Sequence, residues 1–156
     1  MNYDVKVELN YPKIIDKVTN DEFGIKLATE WKKLIDPYTP RKSGSLESSV
    51  NIRPFEIEYT SVYAHYQYMG EVYEDPLYHV AGWIVGGTAP NEIWRSRKGI
   101  KKVKRTVSIG NRYQYLVYSR EFNPEAIDHW DLQAKEAGQM NKLYQVMNDY
   151  LRNKVR

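Results

Sequence analysis

The stretch from Asp36 to Gly70, DPYTPRKSGSLESSVNIRPFEIEYTSVYAHYQYMG, constrains this chain more than any other. It makes three successive demands on the backbone. Pro37 to Gly44 carries two prolines and a glycine, so it reads as a turn-rich link that ends one element and starts the next. Gly44 is expected at positive φ, where a Cβ would clash. Leu46, Val50 and Ile52 then lead into a strand, with Ser45 to Ser49 fitting either a helical turn or extended chain. Arg53-Pro54 fits a hairpin turn, and Ile57 and Tyr59 alternate with Glu56 and Glu58 as a half-buried strand does. The last part, Tyr63-Ala64-His65-Tyr66-Gln67-Tyr68, fits a short helix capped by Ser61 and stopped by Gly70, and it also fits an extended segment. Nothing in the stretch looks catalytic.

The chain before it reads as a strand and a helix. Tyr3, Val5, Val7 and Leu9 alternate with Asp4, Lys6 and Glu8. Pro12 fits the first position of a helix bearing Ile14, Ile15 and Val18. Thr19 and Glu22 have capping-box spacing, which starts a helix near Asn20. Phe23, Leu27, Trp31, Leu34 and Ile35 share one face of that helix, and Pro37 should end it by pushing Asp36 out of the helical region.

Beyond Gly70 the pattern is β-like. Val72-Tyr73 and Tyr78 to Val85 form one expected pair. Val103 to Ile109 and Tyr113 to Tyr118 form another, joined at Gly110-Asn111. Asn123-Pro124-Glu125 reads as a helix start, with Ile127, Trp130 and Ala134 on its apolar face. Met140, Leu143, Tyr144, Met147 and Leu151 line a second helix after Gly138. The order predicts one α+β domain over 1–156: an antiparallel sheet against an N-terminal helix and C-terminal helices, with residues 77–111 as a hairpin and basic-loop extension.

Composition narrows the function classes. A chain of 156 residues can bury a core of its own. It has no run of eighteen apolar residues, so no membrane span is expected, and MNYDVKVELN is not expected to be a signal or transit peptide. Zero cysteines leave no disulfide or thiolate metal site, which fits a reducing cytosol. The net charge of +3 hides an asymmetry: Arg95 to Arg105 holds seven basic residues and no acid, and the remainder carries 16 basic and 20 acidic residues. This is a mildly acidic body with one basic loop, not a generally basic nucleic-acid binder.

Few residues invite a chemical reading. His65, His79 and His129 lack ligand spacing, and no HExxH occurs. His65 reads as a packing residue, and His129 as a surface histidine beside a buried Trp130. Ser43-Gly44-Ser45 and Gly86-Gly87 lack the ending of a phosphate loop. Glu71, Glu74 and Asp75 could bind a divalent ion, but without calcium-loop spacing they read as a solvated turn. No cofactor or metal is expected. The basic loop, with Arg95, Arg97, Lys98, Lys101, Lys102, Lys104 and Arg105, is the most arguable feature. It could grip phosphates, and the preferred reading is electrostatic contact with an acidic neighbour in a homo-oligomer. Tyr63, Tyr66, Tyr68 and Tyr73 each need a hydroxyl partner if buried, so some of them should face an interface. Trp31 and Trp130 should be core, each indole N–H finding an acceptor. Trp83 and Trp94 flank the Gly86-Gly87 turn and should be exposed in an isolated subunit and covered on assembly.

Several of these residues form a recognisable order. A helix with Trp31, then Asp36-Pro37-Tyr38-Thr39-Pro40, then Ser43-Gly44-Ser45-Leu46 and Val50, resembles a "PYVP…TG-L…S" pattern. Tyr63 to Gly70 resembles "YA-YQY-G", and Asn123-Pro124, Ala126, His129-Trp130 and Ala134 follow. Together they resemble the minor capsid, or tail-completion, proteins of long-tailed phages infecting Gram-positive bacteria. The resemblance covers residues 20 to 73 and 120 to 135. Lys42-Ser43 replaces the usual acidic-Thr pair, and Leu77 to Asn111 departs most, so no role for the basic loop is inherited. The resemblance implies a structural protein of the virion neck, assembled from the host cytoplasm into a ring of six copies. It would join the head-closure or connector protein to a tail terminator or tail tube protein, without catalysis or membrane contact, around DNA that passes without sequence-specific contact. The alternative of another class is a small nucleic-acid-binding module using residues 95–105.

Overall fold

The computed structural model describes residues 5–8, 20–41, 45–61, 64–87, 93–108, 110 and 113–154. Gly44, Tyr63, the Pro12 segment, and Tyr3 and Leu9 lie outside them. The fold class is α+β, with helices and antiparallel sheets. The chain forms two compact units, Met1–Tyr68 with Tyr118–Arg156, and Met69–Val117. The second encloses the 77–111 segment.

In the first unit, helix α1 (Asp21–Ile35) starts on Asn20, whose side chain accepts from the Phe23 amide, with Asp21 and Glu22 in the positive first turn. Phe23, Leu27, Trp31 and Ile35 recur every four residues and form the buried stripe, widened by Gly24 and Ala28. Asp36 does not leave the helical region before Pro37, contrary to expectation: its φ is −53° and ψ −40°. Asp36–Tyr38 tightens into a 3-10 turn, and only Thr39 is extended. The helical exit survives because its end carbonyls are satisfied. The Thr39 amide donates to Ile35 and Asp36, and the Thr39 hydroxyl also donates to Ile35.

A one-turn helix α2 (Ser45–Ser48) precedes the hairpin of β2 (Val50–Arg53) and β3 (Glu56–Tyr59). With β1 (Val5–Glu8) they form an antiparallel sheet in the order β1-β3-β2, pairing Val5 and Val50 with Tyr59, and Val7 and Ile52 with Ile57. Ile57 and Tyr59 point into the core. Glu58, on the other face, is covered by Lys6, Asn51 and Arg53. The turn places Phe55 at φ 62°, and its amide donates to the Gly24 carbonyl at 3.2 Å. The hairpin therefore rests on α1 at its one glycine.

The tyrosine segment is helical: α3 (Ala64–Met69) ends at Gly70, whose φ is 67°. The expected helix start at Asn123 is not formed. The Asn123 side-chain amide instead donates to the carbonyls of Asp36 and Thr39 at 2.9 and 2.7 Å, closing the end of α1. Helix α4 (Trp130–Glu136) begins seven residues later, after His129 in the left-handed region at φ 42° and ψ 44°. Helix α5 (Gln139–Lys154) follows Gly138, at φ 77°. Leu143 and Met147 are buried, Met140, Tyr150 and Leu151 pack partly, and Tyr144 is exposed, correcting its place on the apolar face.

Trp31 and Trp130 have no accessible surface, so both are core. Among the described residues, however, their indole N–H groups find no acceptor, and the Tyr59 hydroxyl finds no hydrogen-bond partner. Around Trp130 the neighbours are aromatic edges: Tyr59 and Tyr68 meet it edge-on at centroid distances of 5.3 and 5.0 Å.

The second unit contains β4 (Tyr73–Glu74), β5 (Trp83–Gly86), β6 (Ile93–Arg95) and β7 (Val103–Lys104). Its pairings differ from both expected pairs. β4 pairs with β7, matching Tyr73 to Lys104, and β5 pairs with β6, matching Trp83 to Arg95. Tyr115 bridges to Glu71 rather than to the Val103 segment. Charge accompanies the first of these pairings: Lys104 in β7 pairs with Glu71, two residues before β4, and Glu74 in β4 pairs with Arg105, just after β7.

Candidate functional site

The basic segment of the second unit is built on its acidic one. Asp75, with no accessible surface, begins a turn in which its own carbonyl accepts from the His79 amide and its amide donates to Val80. Its carboxylate accepts from the Leu77 and Tyr78 amides at 2.8 and 3.2 Å, and from the Arg97 Nε at 2.7 Å. The guanidinium of Arg97 also lies 5.1 Å from the centre of the Tyr78 ring. Loss of hydration pushes the Asp75 carboxyl up, but Arg97 and the two amides outweigh it and hold it below its ordinary range.

Glu74 follows the same rule. It accepts from the Arg105 Nε at 2.6 Å and lies 3.1 Å from the His79 Nδ1. Burial raises its carboxyl, and His79 and Arg105 bring it below the ordinary value. Arg105 also donates to the carbonyls of Tyr113 and His79. Glu71 pairs with Lys104. These acids are therefore not the solvated turn expected from sequence: Glu74 and Asp75 are buried and hold arginines. Among the described residues, no group of three His, Asp or Glu side chains could hold a metal ion.

The seven bases consequently fall into two sets. Arg97, Lys104 and Arg105 are ion-paired, and Lys102 donates to the Ala81 carbonyl at 2.6 Å. Arg95 at the end of β6, Lys98 and Lys101 are exposed and have no ion-pair partner among the described residues. Trp83 is 41% exposed on β5. Trp94 lies in β6, and its side chain is outside the described residues.

The tyrosine candidates belong to the first unit. The Tyr68 hydroxyl donates to Asp131 Oδ1 at 2.7 Å, and the ring packs against His129 and Trp130. Burial and the Asp131 charge raise the Tyr68 hydroxyl far above its ordinary range, so it stays protonated. Tyr68 is thus an internal tie between α3 and α4, not an outward contact. Tyr66 is half-buried, edge-on to His65 at 5.7 Å. His129 is half-buried beneath Tyr68 rather than a plain surface histidine.

No protein-family model, curated protein or solved structure matches this chain.

An open groove of about 480 Å³, also in the first unit, was not legible from the sequence. Pro37, Phe122 and Pro124 supply its apolar surface, and Arg41 stands 5.7 Å from the centre of the Phe122 ring. Its charges are mostly paired at home: Lys33 with Glu30, Asp36 with Lys32, and Arg41 with Glu47. Glu125 in the lining, and Glu121 four residues before it, are exposed without an ion-pair partner among the described residues. The Asn123 amide that closes α1 places this segment over the 3-10 turn, which creates the groove.

Proposed function

We propose that this chain is a structural subunit of the phage neck, assembling through its second unit into a ring at the head–tail joint, around the DNA channel. The observation that carries the reading is where apolar surface goes. Among the described residues, none between 69 and 117 belongs to the buried apolar core. Of the eighteen large apolar side chains that lie exposed among the described residues, twelve are in that unit. Single exposed apolar residues are ordinary, but a unit that exposes twelve of them and buries none among its described residues has the character of a contact surface. The family resemblance of residues 20 to 73 and 120 to 135 supplies the particle in which that contact would be made.

The nucleic-acid module is the weaker reading because, among the described residues, four of its seven bases are already bonded within the unit. Three phosphate contacts give a salt slope of roughly −3 and little affinity at physiological salt. The test is the mass of the purified chain in solution, followed by antibody labelling of phage particles. A closed oligomer and label at the head–tail junction are expected. A monomer at every concentration, or tight duplex binding lost on replacing Lys98 and Lys101 by Glu, overturns the reading.

A further inference from the structure

The second unit and the groove carry complementary unpaired charge. Between residues 69 and 117 there are eight basic and four acidic residues. Glu71, Glu74 and Asp75 are each already held by a base of the same unit. Arg95, Lys98 and Lys101 remain exposed, in a segment that also exposes Trp83, Ile93 and Ile100. The groove of the first unit has the opposite composition. Its lysine, its arginine and two of its acids are paired, leaving the Glu125 carboxylate, with Glu121 four residues before it in the chain. Phe122, 55% exposed, stands between them in sequence, and Arg120 is the one exposed base of that short segment.

We infer that the basic side of the second unit of one copy docks on the Phe122 groove of a second copy of this chain. Arg95, Lys98 and Lys101 would then meet Glu121 and Glu125, while Trp83 and Ile93 cover Phe122 and the flanking prolines. The contact joins two different surfaces. It is therefore heterologous and repeats head-to-tail, closing into a ring when the rotation per copy divides a full turn. Charge decides the partner and register, and the apolar side chains supply the buried area. This inference rests on the assembly reading above and assigns the two surfaces that mate.

Because the chain has no cysteine, covalent trapping is clean. Lys98→Cys and Glu125→Cys both change exposed side chains without ion-pair partners among the described residues, so folding should be preserved, and a thermal melt of each variant verifies it. Mixed together under a short bismaleimide, the two single variants should give a covalent dimer containing one of each. The double variant should give a ladder of multimers. In a second experiment, Lys98→Glu with Lys101→Glu should leave the chain monomeric, as should Glu121→Lys with Glu125→Lys. An equimolar mixture of these two charge variants should recover the oligomer.

The outcomes separate the two readings. An oligomer of the natural chain that survives both charge variants and gives no mixed covalent dimer overturns this inference and leaves the assembly reading standing. A monomer under all conditions overturns both. Covalent dimers from the Lys98→Cys variant alone mean that like surfaces meet, and internally linked monomer from the double variant means that the contact lies within one chain; either result overturns the inference.

Discussion

Arg97 grips Asp75 with two nitrogens, Nε on Oδ2 at 2.7 Å and Nη2 on Oδ1 at 3.1 Å, across 22 residues of chain. This planar two-point contact joins the turn after β4 to the segment after β6, and it buries a carboxylate in a unit with no buried apolar side chain among its described residues. A buried charge pair is costly to break from one side, because the remaining charge stays desolvated. Arg97→Ala should therefore loosen the second unit. Faster proteolysis between residues 69 and 117 and lost exchange protection at the Leu77 and Tyr78 amides are expected. Arg97→Lys should recover little, since an ammonium cannot span both oxygens. The first-unit melt should not move. If exchange at Leu77 is the same in Arg97→Ala and the natural chain, the clamp is not what orders this turn.

Acid should open the same unit selectively. Glu74 and Asp75 both lie below their ordinary values of 4.5 and 3.8 in the folded chain. A carboxylate with a lowered folded value binds fewer protons folded than unfolded, so its contribution is fully present above the ordinary value. It is lost as pH falls through the lowered one. The second unit should keep its exchange protection above pH 4.5 and lose it only after the pH has fallen below 3.8. Trp31 and Trp130, in the apolar core of the first unit, should keep their buried emission further into acid. A second unit whose protection disappears well above pH 4.5 would mean that some other group controls it.

How much was legible follows the physics of each element. The stripe of α1, the Pro54 hairpin and the alternation of β1 and β3 are local patterns, and the structure has them. The pairings of the second unit were not legible, because its strands are two to four residues long and carry little alternation. A signal was present nonetheless. Glu71, Glu74 and Asp75 face a later run of bases, and opposite charges on paired strands are favourable. Reading the acids as a solvated turn and the bases as a loop that meets an acidic neighbour in another copy separated the two halves of one network. Asn123 misled differently: its capping chemistry is real, but the amide it satisfies is its own, spent as a donor on α1 rather than as an acceptor for a new helix. The groove depends on that distant contact, so no local pattern contained it.

Gly24 offers a local test of the hairpin's seat. A Cβ at Gly24 would fall 2.7 Å from the Phe55 ring and 2.9 Å from Pro54 Cβ. Alanine would otherwise favour the helix by about 1 kcal/mol. The Phe55 ring is fixed by its packing on Phe23, with centroids 6.2 Å apart, and by its own positive φ, so it cannot easily yield. Overpacking costs about 1–3 kcal/mol and should win. Gly24→Ala is expected to lower the urea midpoint of the first unit without changing its slope. A midpoint that rises would place the hairpin elsewhere.

The unpartnered polar atoms of the core give the sharpest prediction. The Tyr59 hydroxyl, fully buried, faces Thr39 and the Trp130 indole without a bond that meets hydrogen-bond geometry, and the Thr39 hydroxyl is already donated to Ile35. Burial raises the Tyr59 hydroxyl far above its ordinary range, and the neighbouring Thr39 and Trp130 side chains offset only part of that rise. An unsatisfied buried hydroxyl carries a desolvation penalty of about 1–3 kcal/mol, and its removal refunds part of that if the ring can stay. Tyr59→Phe keeps the edge-on contact with Trp130, so it should be neutral or stabilising. Trp130→Ala deletes the ring that Tyr59 and Tyr68 pack against and should cost about 3–5 kcal/mol. The two denaturation curves should therefore move in opposite directions, or the Tyr59 curve should not move at all. A loss above about 1 kcal/mol in Tyr59→Phe would show that the hydroxyl holds a working hydrogen bond in solution.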